Sequence, residues 1–106
     1  MKKFITLFLT LAFYNGFAQS DYFWVGGSGN WTETTHWATT SGGTDFHILV
    51  PSSSDNVYFD ANSFDAAGQT VTVDVTGDLC KSMDWSGTTN SPTFNVNSKK
   101  IHIAGS

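Results

Sequence analysis

Val73-Asp74-Val75-Thr76-Gly77, Met83-Asp84-Trp85-Ser86-Gly87 and Ile101-His102-Ile103-Ala104-Gly105 share one pattern: apolar, polar, apolar, small, glycine. In an extended strand the two apolar residues of each unit point to one face, and the glycine that follows can turn the backbone through positive φ. Each unit therefore reads as a short strand ending at a corner. The first two units lie close together, and the longer interval before the third holds a further strand, Thr93-Phe94-Asn95-Val96, entered through a turn at Asn90-Ser91-Pro92. Short strands with one apolar face predict a coil whose strands stack in parallel about 4.8 Å apart, their inward residues forming ladders. The expected fold is all-β, the N-terminal cap and first coils of a right-handed parallel β-helix. A small β-sandwich is the alternative, since it also accommodates seven short strands. The solenoid is favoured because no clean two-residue hairpin turn appears and the last unit runs straight to the end of the sequence.

Outward from these units, β-branched and aromatic residues alternate with polar ones, and helical periodicity is absent after residue 20. The predicted strands are Phe23 to Val25, Ile48 to Val50, Val57 to Phe59, Val71 to Val75, Met83 to Trp85, Thr93 to Val96 and Ile101 to Ala104. Residues 51–106 are assigned to the first coils. Residues 19–50 differ in kind, with Tyr22, Phe23, Trp24, Trp31 and Trp37 around a loop of Gly26-Gly27-Ser28-Gly29-Asn30. A solenoid needs an atypical terminal unit to cover ladder ends and strand edges, and large aromatics cover such an end efficiently. This segment is read as the cap.

Residues 1–18 have the zones of an export signal: Met1-Lys2-Lys3 is positive, Phe4 to Phe13 is apolar, and Gly16-Phe17-Ala18 offers small residues to a signal peptidase. The apolar run is interrupted at Tyr14-Asn15-Gly16, short of the roughly 20 residues a membrane-spanning helix requires. The expected location is secreted or at the outer cell surface, with no membrane insertion after cleavage. Beyond residue 18, three lysines face nine acids, a formal charge of −6. That balance disfavours nucleic acid and anionic membranes, which attract clustered Lys and Arg. Cys80 is the only cysteine, so no disulfide forms within the chain. About 88 residues make a thin core, and the expected source of added stability is further coils of a parent protein stacked downstream.

Phe23-Trp24-Val25-Gly26-Gly27-Ser28-Gly29-Asn30-Trp31, His36-Trp37-Ala38-Thr39-Thr40-Ser41-Gly42-Gly43, Val50-Pro51 and Asp55-Asn56-Val57-Tyr58-Phe59-Asp60 form a recognisable package. With Gln69-Thr70-Val71-Thr72-Val73-Asp74 and Met83-Asp84-Trp85-Ser86-Gly87, it resembles the start of large secreted, adhesin-like proteins of gliding bacteria. The resemblance implies a β-helical surface protein of the kind that ends in a gliding-motility-associated or type nine secretion sorting domain. It brings no catalytic residue. The sequence stops at Ser106 without a sorting segment, so a fragment or a truncated frame is expected.

Trp24, Trp31 and Trp37, if exposed, would offer rings on which a surface glycan could stack; as cap core they need no ligand, which is the favoured reading. Asp55 and Asp60, with Asp74, Asp78 and Asp84, are weak candidates for calcium, whose six to eight oxygen ligands these spacings do not match. Asp55 beside Ser52-Ser53-Ser54 reads more simply as a turn residue. Cys80, His36, His47 and His102 show no nucleophile–base spacing and no metal-ligand spacing. Cys80 fits a small buried hydrophobe. The glycine-rich loop lacks the Lys-Ser or Lys-Thr and helix of a phosphate cradle. The expectation is a non-enzymatic scaffold or adhesion module without a cofactor, with a carbohydrate-binding module as alternative. Part of a polysaccharide-degrading β-helix enzyme is a third reading.

Signal cleavage after Ala18 is expected to leave Gln19, free or cyclised to pyroglutamate, at the N-terminus of the exported protein. Mass spectrometry checks it, and an intact Met1 in the exported fraction would refute it.

Overall fold

The computed structural model describes residues 19–105, and the expected export signal lies outside them. The chain is all-β. Its elements are β1 (Asp21–Trp24), β2 (Gly29–Asn30), a 3-10 turn (Thr34–His36), β3 (Trp37–Ala38), β4 (Asn56–Tyr58), β5 (Thr70–Thr72), β6 (Gly77–Cys80), β7 (Ser82–Asp84), β8 (Thr93–Asn95) and β9 (Ile101–Ile103). They form three small sheets, ordered β3-β1-β4-β7, β2-β5-β8 and β6-β9.

Every strand pairing is parallel except β1 with β3. Consecutive strands cannot pair in parallel without a long connection, so the chain visits the three sheets in turn before returning. Val57 pairs with Met83, Val71 with Phe94 and Gly77 with Ile101. These three returns are nearly equal in length, as successive turns of one circuit would be. The earlier returns are longer, from Tyr22 to Val57 and from Gly29 to Val71, because they also contain the 3-10 turn, β3 and the segment that leads from it to β4.

In-register parallel stacking aligns like positions across strands. Tyr22, Val57 and Met83 line the inner face of the first sheet, and their neighbours Trp24, Phe59 and Trp85 continue it. Phe59 and Trp85 stack at 3.7 Å with ring planes 7° apart. Val71 with Phe94 lines the second sheet, and Leu79 and Cys80 pack with Ile101 and Ile103 in the third. Burial is graded along these ladders. Trp24, Val57, Phe59, Val71, Leu79 and Cys80 are buried, whereas Met83, Trp85, Phe94, Ile101 and Ile103 on the outermost strands are only half-buried.

Trp24, Trp31, Trp37 and Phe59 close the other end. Trp24 and Trp31 meet Trp37 edge-on, at 4.9 and 4.7 Å between ring centroids. The Trp24 indole N–H donates to the Gly27 carbonyl and the Trp37 indole N–H to the Trp31 carbonyl, both at 2.7 Å. These bonds remove the cost of burying an indole donor. Among the described residues no buried side-chain polar atom lacks a partner.

Several local expectations are corrected. Ile48 to Val50 is not a strand: Ile48 is 90% and Leu49 69% exposed. His47 is held before it, stacked on Tyr22, and Pro51 after it lacks an amide hydrogen to extend a ladder. Strands β2, β3 and β6 fall outside the predicted runs, since Gly29-Asn30 and Gly77-Asp78 are weak strand formers. The three glycine-ended units do not stack on one another. Val73 extends the second sheet by donating to the Asn95 carbonyl, Met83 lies in the first sheet and Ile101 in the third. Val75 points outward, unlike Val73. Of the three glycines only Gly77 has positive φ, at 105°; Asn97 and Ser98, at 57° and 60°, turn the chain between β8 and β9.

Trp31→Ala removes a ring that is 1% exposed at the junction of all this packing. It is expected to cost about 3–5 kcal/mol, read as a lower urea midpoint with an unchanged slope.

Candidate functional site

Trp24, Trp31 and Trp37 are 0%, 1% and 0% exposed, so none presents a ring face to a sugar in this fold. The His36 imidazole stacks on Trp24 at 4.4 Å with planes 4° apart. Its Nδ1 lies 2.6 Å from the Val25 carbonyl oxygen, which only accepts, so Nδ1 donates. The glycine loop wraps around this lid. A Cβ on Gly29 would collide with the His36 ring, and one on Gly27, at φ +74°, would fall 2.6 Å from the Gln69 amide nitrogen. Close packing accounts for these glycines.

Asp55 ties the start of β1 to the turn before β4. Its Oδ1 accepts from the Ser20 amide, and its Oδ2 from the Ser52 amide and hydroxyl. Asp60 accepts from the Asn62 amide and from the Ser41 and Ser63 hydroxyls. Each carboxylate is thus engaged in turn-forming bonds. Asp74 bonds Thr32 through both oxygens, Asp84 accepts from the Ser86 amide, and Asp78 pairs with His102 at 3.0 Å on the exposed side of β6 and β9. Among the described residues no group of three His, Cys, Asp or Glu side chains is placed to hold a metal ion, and no pocket is enclosed.

The outer face of the first sheet carries an arrangement the sequence reading missed. Residues opposite one another on paired strands face the same side. Asp21, Asn56 and Ser82 therefore form one outward row. It is bonded in series, with the Asn56 amide donating to Asp21 Oδ1 at 3.3 Å and the Ser82 hydroxyl to Asn56 Oδ1 at 2.7 Å. Two residues along the strands runs a second row: Phe46, Ala38, Phe23, Tyr58 and Asp84. The Phe23 and Tyr58 rings stack at 5.0 Å, 19° from parallel. Burial raises the Tyr58 phenol above its ordinary pKa, and the Asp21 and Asp84 carboxylates add to the rise. The signal was the alternation Asp21-Tyr22-Phe23-Trp24, which sends Phe23 to the side opposite Trp24.

No family model, curated protein or solved structure matches this chain. Among the described residues no helix is long and apolar enough to cross a membrane.

Cys80 is fully buried, and burial, then the Asp55 carboxylate, pushes its thiol up from 9.0 to about 11. A raised pKa in the folded state means the unfolded chain loses the proton first as pH rises. Stability from the neutral buried thiol is fully present below about pH 9 and is lost toward pH 11. Urea midpoints should fall across that window, less so in Cys80→Ala. In the folded protein at pH 8, Cys80 should resist iodoacetamide and react only after unfolding.

Proposed function

We propose that this chain is the closing cap and first coils of a right-handed parallel β-helix. It serves as the N-terminal, non-enzymatic module of an exported, adhesin-like surface protein of the kind seen in gliding bacteria. The observation that carries the reading is the asymmetry of the apolar ladders. One end is sealed by Trp24, Trp31, Trp37 and Phe59, and the other leaves Met83, Trp85, Phe94, Ile101 and Ile103 half-covered beneath the terminal strands β7, β8 and β9. Parallel returns of near-equal length in three sheets support the coil, because each turn repeats the same circuit. A further turn of the same kind would bury these side chains and pair the three free strand edges. The export signal and the package of aromatic motifs support the destination. The engagement of Asp55, Asp60 and Asp74 in bonds that hold turns and strands together supports a scaffold over an enzyme.

The uncovered edges make a template for association with another chain. Sedimentation of residues 19–106 should show concentration-dependent association. Phe94→Lys combined with Ile103→Lys should reduce it, since both side chains lie on the open face. A monomer at all concentrations that unfolds cooperatively would point to a self-closed β-sandwich and refute the coil.

A further inference from the structure

We propose that the outer face of the first sheet binds a neutral carbohydrate chain across Phe23 and Tyr58. The site lies on the outer face of the sheet, whereas the half-covered apolar side chains lie on its inner face, and β7 contributes Ser82 and Asp84 to the site.

The face has two rows of different chemistry running across the strands. One is aromatic: Phe46, 44% exposed, then the small Ala38, then Phe23 and Tyr58, half-exposed and stacked on each other. The other, one side-chain repeat away, is the bonded series of carboxylate, amide and hydroxyl at Asp21, Asn56 and Ser82. A pyranose ring has the matching duality, with C–H groups on its faces and hydroxyls around its rim. An apolar peptide would satisfy the rings but leave the polar row to be desolvated without partners.

The position after Tyr58 in the aromatic row is Asp84, too short to continue the ring stack. A sugar ring at that position would lie against Tyr58 as a third member of the stack, its hydroxyls donating to the Asp84 carboxylate and to the Ser82 hydroxyl of the same strand. The Asp84 Oδ1 already accepts from the Ser86 amide, which fixes the carboxylate in place. A preset acceptor beside a rigid ring lowers the ordering cost of binding.

Charge selects among glycans. The ionisable groups on the two rows are Asp21, Tyr58 and Asp84, and Asp45 precedes Phe46. Lys81, which precedes Ser82, is bonded to the Gln19 side chain at 2.9 Å. A uronate or sulfated polymer would meet like charge here. A neutral chain would not.

The test is affinity electrophoresis of the purified protein through gels containing hydroxyethylcellulose, laminarin or yeast mannan, with alginate as the acidic counterpart. Retardation is expected in at least one neutral gel and not in alginate. Tyr58→Ala and Phe23→Ala should each weaken it about tenfold or more, as loss of a central aromatic contact does. Because both rings are half-buried, circular dichroism and the melting temperature are measured alongside. Asp84→Ala, at an exposed position, gives a second variant that should weaken binding with the fold intact, while Ile48→Ser should bind like the parent. No retardation in any neutral gel, retardation by alginate alone, or unchanged binding by folded Tyr58→Ala and Asp84→Ala would overturn the proposal. Phe23 and Tyr58 lie on β1 and β4 and not on the terminal strands β7, β8 and β9, so loss of binding in their variants and loss of association are separate outcomes.

Discussion

Parallel strands stacked in register create continuous apolar ladders, and each ladder must be covered where it begins. Trp24, Trp31 and Trp37 are buried together at one end of these ladders and pack against Phe59. The burial of three indoles in so short a chain requires partners for their N–H groups. The backbone carbonyls of Gly27 and Trp31 meet two of those needs from within the same aromatic segment. The glycine loop, the His36 lid and the long excursion from residue 31 to residue 55 all follow from closing that end tightly.

The same stacking rule acts on the outside of the sheets. Asp21, Asn56 and Ser82 bond in series because parallel pairing brings them level, and Phe23 and Tyr58 meet through their rings for the same reason. Long-range polar bonds such as Ser20 to Asp55 and Thr32 to Asp74 tie distant parts of the chain together without a disulfide. Asp55 is itself buried, whereas the exposed Thr32–Asp74 bonds contribute little individually. Their effect is to hold register, which a flat ladder otherwise specifies weakly.

Much of this was legible before any coordinates. The all-β class followed from short alternating runs. The engagement of Asp55 with Ser52 followed from turn chemistry. Other features were hidden for identifiable reasons. Gly29-Asn30 pairs with Val71-Thr72 although neither residue favours a strand, because a small residue is needed beneath His36. Ile48-Leu49-Val50 looks like a strand by composition but is pinned between His47 and Pro51 with its first two side chains in water. The candidate sugar-stacking tryptophans are buried, and the rings on the outer face are the half-buried Phe23 and Tyr58, since alternation along β1 sets neighbouring aromatics on opposite faces.

By itself the sequence determined the period-two alternation, the corners and the amount of aromatic surface needing cover, because these depend on neighbours along the chain. Only the tertiary structure decided which strands lie side by side. The three similar glycine-ended units fall in three different sheets, since each records a local strand and corner, whereas pairing depends on the length of a whole circuit. Circuit length is set by loops whose sequences carry little periodic signal. That is why the near-equal returns from Val57 to Met83, Val71 to Phe94 and Gly77 to Ile101, and with them the rows on both faces, emerged only when the strands were placed together.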